Sequence, residues 1–338
     1  MRLHDLSGGD AVLGRVERVA RRALGRYDLA PDAEVKLINV SENATFLVTG
    51  AGARTILRVH RLGYHSPEAI ASELDWLTAL RDEAGVRTPA VLPAVDGSRI
   101  VTVEDPGSPP RTCVMFEHVP GVEPAEDRLV EHFGPLGAIT ARMHLHARSW
   151  RRPAAFTRFH WDEDAAFGPA PRWGRWQDGA GVGREAHAVL SRLEAVLRDR
   201  LARVGKGGRH YGLIHADLRT ANLLVDDAAG TTVIDFDDCG LGWYLYDLAA
   251  ALSFIEHHPR VPEMIDSWVR GYRSVLGLTR EEEDEIWTFV MFRRLLLVAW
   301  IGSHPAVEIA RELGAGYTEG TCELAERYLG RPPRSSWR

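Results

Sequence analysis

The stretch that decides the fold reads LIHADLRTANLLV over residues 213–225 and VIDFDD over residues 233–238. It contains His215 and Asp217 in a His-x-Asp pattern, Asn222 five residues after that aspartate, and Asp235 thirteen residues further on. A lone His-x-Asp is common by chance. Four polar positions at these intervals, each bounded by apolar residues, predict one shared site instead.

Two short β-type runs, 222–225 and 231–236, flank a turn and predict a hairpin inside a largely helical region. Mg²⁺ prefers oxygen ligands, which suits the carboxylate of Asp235 together with the amide oxygen of Asn222. Asp217 can accept or orient the proton of an attacking hydroxyl. This set suits phosphoryl transfer, which depends mainly on positioning and charge neutralisation. The alternative is a group of polar turn residues around a hairpin.

These motifs, followed by YDLA at residues 246–249, resemble the catalytic arrangement of the protein-kinase-like superfamily. Within it the chain resembles the aminoglycoside phosphotransferase family and its choline kinase and homoserine kinase type II relatives. The resemblance extends over residues 33–303 and is dense from 211 to 250. It implies an α+β, two-lobed fold, with a small N-terminal antiparallel-sheet lobe and a larger, mostly α-helical C-terminal lobe. It also implies ATP, with GTP as an alternative, and Mg²⁺.

A change of periodicity near residue 119 predicts the domain boundary. We expect an N-terminal nucleotide-binding lobe over residues 1–118 and a C-terminal catalytic and acceptor-binding lobe over residues 119–338. The first lobe is predicted to contain strands at 33–40, 45–49, 54–60, 98–103 and 111–117, and a helix at 66–82. The second is predicted to contain helices at 134–149, 184–204, 262–276, 279–303 and 306–329.

The third predicted strand carries Arg58 where protein kinases have a lysine, so the resemblance implies that Arg58 contacts the nucleotide phosphates. Glu73 lies on the following helix and is the predicted partner of Arg58. The alternatives are that Glu73 is an exposed surface carboxylate and that Lys36, on the first strand, supplies the cation.

The turn between the first two strands contains Ser41 and Asn43 and no glycine. These side chains and the backbone N–H groups of the turn would therefore have to bind the nucleotide phosphates. The resemblance implies that the exit from the first lobe offers backbone groups of Glu117 and Val119 to the nucleotide base.

Three further residues lie near these motifs. The role of one is undecided, and the other two are predicted to be structural. Arg219, two residues past Asp217, either contacts the transferring phosphate or lies on the surface, and the sequence leaves both possibilities open. We expect His215 to brace from inside the loop that carries Asp217, called the catalytic loop below. We expect Asp247 to bond the backbone of that loop.

Only eleven residues separate Asp235 from Asp247, too few for the activation segment with which a protein kinase binds a peptide. This spacing favours a small-molecule hydroxyl as the phosphate acceptor.

The segment before the catalytic loop is rich in aromatic and acidic residues. We expect Trp161 and Asp162 to contact an amine-bearing acceptor through cation–π and ionic interactions, with packing on the core as the alternative. Asp237 and Asp238 add negative charge beside the metal site and are further candidates for binding the amine or a second ion.

Composition excludes several functional classes. The 338 residues are 45% hydrophobic and 26% charged, as in globular proteins. The net charge of −6 argues against a general nucleic-acid binder, and three cysteines without metal-ligand spacing fit a reducing compartment. The longest apolar run, Leu295 to Ile301, is short of the roughly 20 residues that cross a bilayer. We expect a cytoplasmic protein with no membrane or nucleic-acid partner.

Together these features predict an ATP-dependent O-phosphotransferase that acts on a hydroxyl of a small molecule. The acceptor classes that remain open are amino sugars, aminoglycosides and amino alcohols such as homoserine or choline. Two alternatives stand beside this prediction. One is a protein Ser/Thr kinase of the bacterial kinase-like type. The other is a catalytically silent nucleotide-binding pseudokinase, which Arg58 and the glycine-free turn suggest.

Overall fold

The computed structural model describes residues 9–40, 43–228 and 230–330. The chain divides into two compact units. Unit 1 comprises Met1–Asp82, Arg87–Pro120 and Arg152–Thr157. Unit 2 comprises Glu83–Val86, Gly121–Arg151 and Arg158–Arg338.

Unit 1 is built around an antiparallel sheet. Its elements are α1 (Gly9–Leu24), β1 (Glu34–Val40), β2 (Ala44–Gly50), β3 (Ala53–Val59), α2 (Pro67–Ala84), β4 (Val91–Leu92), β5 (Val101–Val103) and β6 (Arg111–Glu117). The strand order is β1-β2-β3-β6-β4, with β5 also paired to β6. The antiparallel-sheet part of the predicted fold class is thus confirmed. The expected strand at 98–103 is shorter because Ser98 lies in a turn, where its N–H donates to Asp96 Oδ1 at 3.0 Å.

Local sequence signals explain how two of these elements begin and end. The β2–β3 connection is a two-residue turn in which Ala51 and Gly52 both have positive φ, at 49° and 78°. Such turns match the twist of a hairpin. Helix α2 begins as predicted, with the Ser66 hydroxyl accepting the N–H of Ala69 at 3.2 Å and Pro67 at the first helical position.

Unit 2 is mostly helical. Its elements are α3 (Leu129–Ser149), β7 (His160–Trp161), α4 (Glu163–Phe167), α5 (Arg184–Val204), β8 (Tyr211–Ile214), β9 (Leu223–Asp226), β10 (Gly230–Val233), β11 (Gly240–Trp243), α6 (Leu245–Ala251), α7 (Val261–Arg273), α8 (Arg280–Glu283), α9 (Ile286–Ser303) and α10 (Glu308–Leu329). β9 and β10 form the predicted hairpin, and β7, β11 and β8 form a second small sheet. The helical part of the predicted fold class is confirmed.

Helices α3 and α7 approach closely because glycines face the opposing backbone. A Cβ added at Gly137 would collide with the carbonyl of Trp268, and one added at Gly271 would collide with the carbonyl of Gly134. This contact brings His144 of α3 within hydrogen-bond distance of Tyr272 of α7. The glycines therefore help to position His144 beside Tyr272.

The helix expected over 279–303 is two helices in the structure. Thr279 and Glu282 form the predicted capping box of α8, which ends before α9 begins at Ile286. Among the described residues, Arg280–Ser303 is the stretch long and apolar enough to cross a membrane by length and composition alone. Its most apolar window is 83% buried inside the protein, as expected for a core helix.

Candidate active site

The β9–β10 hairpin brings Asn222 and Asp235 to the same end. Leu223 pairs with Val233, and the N–H of Ile234 donates to the Asn222 carbonyl at 3.0 Å. The chain then turns at Asp235, which has left-handed backbone angles (φ 60°, ψ 65°) and an exposed side chain. Aspartate tolerates this conformation better than most residues. The open end of the hairpin therefore carries an amide and a carboxylate.

Asn222 is also bound to Asp217. Its amide nitrogen donates to the Asp217 carbonyl at 2.7 Å and to Asp217 Oδ2 at 2.9 Å. These two bonds fix the amide so that its oxygen is the atom able to face a cation. The structure thus joins Asp217 and Asn222 directly, and Asp235 directly follows Ile234, whose N–H is bonded to the Asn222 carbonyl.

This donor set fits a magnesium ion that arrives with phosphate. Among the described residues, no group of three or more His, Cys, Asp or Glu side chains is arranged to hold a metal alone. Mg²⁺ is typically held by one or two carboxylates plus substrate phosphate oxygens. Asp235 and the Asn222 amide oxygen are the residues that would supply the protein side of such a site.

Asp217 lies between two arginines. Arg219 Nε donates to its two carboxylate oxygens at 3.1 and 3.3 Å, and Arg293 Nη2 donates to Oδ1 at 2.8 Å. Burial raises the pKa of Asp217, but the charges of Arg219 and Arg293 outweigh burial and hold it below its ordinary value. Asp217 is therefore a stable carboxylate at neutral pH. In this structure Arg219 contacts Asp217 rather than lying free on the surface.

Arg293 is a site residue that the sequence interpretation missed. It lies in the middle of α9 and is almost fully buried. A signal was present, because Arg293 and Arg294 interrupt an otherwise apolar helix, and buried charges require partners. The partner could not be identified because Asp217 lies 76 residues away along the chain.

Asp247 bonds the backbone of the catalytic loop, as predicted. Its Oδ2 accepts the N–H of His215 at 3.1 Å, and its Oδ1 accepts the N–H of Ala216 at 2.7 Å. His144 Nε2 lies 2.9 Å from Asp247 Oδ2, and His144 Nδ1 lies 3.0 Å from the Tyr272 hydroxyl. Two helices and the loop are thereby connected through one buried carboxylate.

His215 is buried and braces the loop, as predicted. Its Nδ1 accepts the N–H of Asp217 at 3.3 Å, so Nε2 carries the proton that is donated to the Ile234 carbonyl at 3.1 Å. The residue therefore joins the catalytic loop to the end of β10.

Within unit 1, Arg58 and Glu73 form the predicted ion pair. Arg58 Nη2 lies 2.5 Å from Glu73 Oε1, with side-chain exposures of 7% and 1%. The Arg58 guanidinium also lies over the Phe116 ring, 5.1 Å from its centre. Glu73 is therefore a buried partner rather than a surface carboxylate. The role of this pair in nucleotide binding stays a prediction.

The other expected nucleotide contacts are placed as follows. Ser41 lies outside the described residues. Asn43 is buried, and its Oδ1 accepts the N–H of Arg61 at 3.1 Å. Glu117 ends β6, and its Oε1 accepts the N–H of Ala90 at 2.8 Å, while Val119 is half-buried two residues later. The Asn43 amide oxygen therefore already holds a neighbouring loop.

Two of the residues expected to bind the acceptor molecule, Trp161 and Asp162, are packed into the protein. Trp161 is fully buried, and its Nε1 donates to the Asp238 carbonyl at 2.7 Å. Asp162 accepts the N–H of Ala165 at the start of α4 and pairs with Lys206 at 2.9 Å. These contacts correspond to the packing alternative.

The two aspartates after the hairpin differ in exposure. Asp237 is buried, and its carbonyl accepts a hydrogen bond from Arg158. Asp238 is half-buried. Asp238 is therefore the more accessible carboxylate of the two.

A family model described as "Phosphotransferase enzyme family" (APH) matches residues 34–285. The chain belongs to this family. It is therefore a transferase, and the resemblance carried by the His-x-Asp, Asn and Asp motifs is confirmed. The APH relatives that follow are kinases of small molecules, and none supports the protein-kinase alternative.

A solved structure of a microcompartment-associated aminopropanol kinase is 50% identical to this APH chain, covers 93% of it and 97% of the other chain, and superposes with a TM-score of 0.86. The amicoumacin kinase of Bacillus subtilis (strain 168) is 26% identical over 286 residues, 81% of this chain and 80% of that protein. The amicoumacin kinase hAmiN, solved with AMP-PNP, Ca²⁺ and Ami, shares the fold with a TM-score of 0.76 at 22% identity over 96% of this chain and 97% of that one.

Proposed function

We propose that this protein transfers the γ-phosphate of ATP, with Mg²⁺, to the hydroxyl of a small amino alcohol. The observation that carries the proposal is the arrangement of Asp217, Asn222 and Asp235 around the end of one hairpin. That arrangement supplies a carboxylate that accepts the hydrogen bond of the substrate hydroxyl, and two oxygen ligands for a cation. These are the groups that phosphoryl transfer requires.

At the phosphorus atom the reaction forms one bond and breaks one, and the hydroxyl proton moves from the acceptor oxygen to Asp217. The acceptor oxygen bonds to the γ-phosphorus, and the bond from that phosphorus to the bridging oxygen breaks, so ADP leaves. Asp217 accepts a hydrogen bond from the acceptor hydroxyl, orients its oxygen, and takes the proton as the phosphate ester forms. When bound at Asp235 and Asn222, Mg²⁺ supplies charge neutralisation for the phosphate oxygens.

Arg219 and Arg58 have separate proposed roles. Arg219 Nε contacts Asp217, and its side chain is 30% exposed, so the guanidinium can interact with a phosphate placed beside that carboxylate. Arg58 belongs to unit 1, where Glu73 fixes its guanidinium. We assign Arg58 to the nucleotide phosphates.

Two observations support an acceptor molecule that carries an amine. The chain shares 50% sequence identity with an aminopropanol kinase over 93% of its length. In addition, Asp238 is a half-buried carboxylate three residues after Asp235. A partly buried carboxylate attracts an ammonium group more strongly than a fully exposed one does. We therefore assign amine recognition to Asp238.

The acceptor class is tested with matched analogues. ADP release is followed with 1-amino-2-propanol, with 1,2-propanediol, which lacks the amine, and with isopropylamine, which lacks the hydroxyl. We expect turnover with the amino alcohol, a kcat/KM at least about tenfold lower with the diol, and none with the amine. Equal kcat/KM for the diol would remove the amine from the proposal. ATP binding without turnover on any hydroxyl compound would support the pseudokinase alternative.

A further inference from the structure

Arg293 is a guanidinium in an apolar environment. It lies in α9, whose neighbouring residues are apolar apart from Arg294, and it is only 2% exposed. A buried charge is tolerated when it is paired and its N–H groups are hydrogen-bonded. The partners of Arg293 therefore indicate what this buried charge does.

Within the part of the chain that the structure describes, two of the four hydrogen-bond partners of Arg293 lie in the catalytic loop. Arg293 Nη2 donates to Asp217 Oδ1 at 2.8 Å, and Nη1 donates to the Ala216 carbonyl at 3.2 Å. The guanidinium is itself held by Tyr246, whose hydroxyl is 2.9 Å from Nη1, and by Ser253, whose Oγ is 3.1 Å from Nε. The planar group is thus fixed on one side and contacts two consecutive loop residues on the other.

Ala216 needs such support. Its φ is +67°, a left-handed conformation that alanine rarely adopts. Its N–H donates to Asp247, and its carbonyl accepts from Arg293. Both polar groups of this strained residue are bonded to buried side chains. Strained backbone persists where the surroundings fix it in this way, and it is often found at functional sites.

We propose that Arg293 is the positioning residue of the catalytic aspartate: it fixes the Asp217 carboxylate and the Ala216 backbone in the geometry that orients the acceptor hydroxyl. The inference rests on the phosphotransfer function proposed above. Arg219 also contacts Asp217, but its side chain is far more exposed than that of Arg293, 30% against 3%. Of the two arginines that contact Asp217, Arg293 is therefore the one whose side chain is held in place by burial.

The adjacent Arg294 provides a matched control. It is equally buried in the same helix, but it pairs with Glu256 at 2.8 Å and donates to Thr321 at 3.1 Å. Arg293→Met and Arg294→Met each remove one buried guanidinium and leave one carboxylate without that partner. Arg293→Lys keeps the charge but loses the planar set of donors.

The test combines kinetics with crystal structures of the variants. With ATP, Mg²⁺ and 1-amino-2-propanol, Arg293→Met is expected to lower kcat about a hundredfold, as a small misplacement of a reacting group does. Both KM values should stay within about threefold, and Arg293→Lys should recover about a tenth of wild-type kcat. Arg294→Met should keep kcat within about threefold of wild type. In the crystals, the Asp217 carboxylate should turn in Arg293→Met and stay in place in Arg294→Met.

Equal kcat losses in the two Met variants, or an unmoved Asp217 in Arg293→Met, would overturn the inference. If the wild type transfers phosphate to no amino alcohol, the proposed function fails, while the position of Asp217 in the crystals still decides the positioning role. If Arg293→Met does not fold, Tyr246→Phe removes one anchor of the guanidinium without stranding a charge. That variant should lower kcat several-fold at unchanged KM, and an unchanged kcat would count against the inference.

Discussion

At the scale of single residues, the site is organised around the two oxygens of Asp217. Oδ1 accepts from Arg293, and Oδ2 accepts from the Asn222 amide, while Arg219 lies within hydrogen-bond distance of both. Because the lowered pKa keeps the carboxylate ionised, Asp217 is suited to orient a hydroxyl by accepting its hydrogen bond. The ionised carboxylate is also the form that can take the hydroxyl proton as the phosphate ester forms.

Asp217→Asn is expected to lower kcat about a thousandfold, because the amide cannot take the hydroxyl proton. Nucleotide affinity should be nearly unchanged, since the metal ligands remain. Steady-state kinetics and calorimetric binding of AMP-PNP check both parts. Asp227→Asn makes the same change at the exposed turn of the same hairpin and serves as the control. A full rate in Asp217→Asn would remove this residue from the reaction.

Asp235→Asn tests the metal assignment. The Mg²⁺-dependent part of AMP-PNP affinity should fall about tenfold or more, because the site loses its one carboxylate. The comparison is between titrations with excess Mg²⁺ and with EDTA, for wild type and variant. If Mg²⁺ strengthens AMP-PNP binding equally in both proteins, the metal lies elsewhere.

At the scale of secondary-structure elements, two helices bond the catalytic loop directly and a third bonds it through Asp247. α6 supplies Asp247, α3 supplies His144, and α9 supplies Arg293. The hairpin adds a fourth connection through His215 and the Ile234 carbonyl. The loop geometry therefore depends on helix packing as well as on the loop sequence.

The pH dependence of stability tests one of these helix contacts. Burial lowers the pKa of His144 below its ordinary 6.5, although Asp247 opposes the effect. As the pH falls below 6.5, the unfolded chain binds the proton before the folded chain does, so the folded state loses stability. Between about pH 8 and about pH 6, the melting temperature of wild type should fall more than that of His144→Gln. Equal falls would mean that His144 is not held neutral.

The ion pair between β3 and α2 gives a prediction for unit 1. Glu73→Ala leaves the Arg58 charge buried without its carboxylate, so the free energy of unfolding should fall by about 3 kcal/mol. Glu17→Ala removes an exposed pair with Arg21, whose side chains are 48% and 58% exposed, and should cost less than about 0.5 kcal/mol. Urea titrations of both variants measure the difference, and similar losses would contradict the account of a buried, coupled pair.

At the scale of the whole molecule, the sequence predicted what local spacing or the family resemblance indicates, and it missed two contacts between distant helices and the site. The hairpin, the start of α2 and the capping box of α8 are set by neighbouring residues, and they appear where expected. Arg293 meets Asp217 across 76 positions, and His144 meets Asp247 across 103. Such contacts arise from the packing of helices, which no short spacing encodes.

The same reasoning explains why the acceptor residues were harder to predict. Aromatic residues near acidic ones suggested an amine site at Trp161 and Asp162, but the same residue types also pack cores and cap helices. The structure gives both residues such structural contacts. Burial depends on the whole fold, so residue type alone could not separate the two roles.

The central claim is that phosphate passes from ATP to the oxygen of an amino alcohol at Asp217. Phosphorus-31 NMR of a reaction with ATP, Mg²⁺ and 1-amino-2-propanol tests it most directly. The account predicts a new phosphate monoester signal on the acceptor oxygen, with one ADP formed per ester, and no such signal with Asp217→Asn. Inorganic phosphate as the sole new product, or an ester formed equally well by Asp217→Asn, would contradict it.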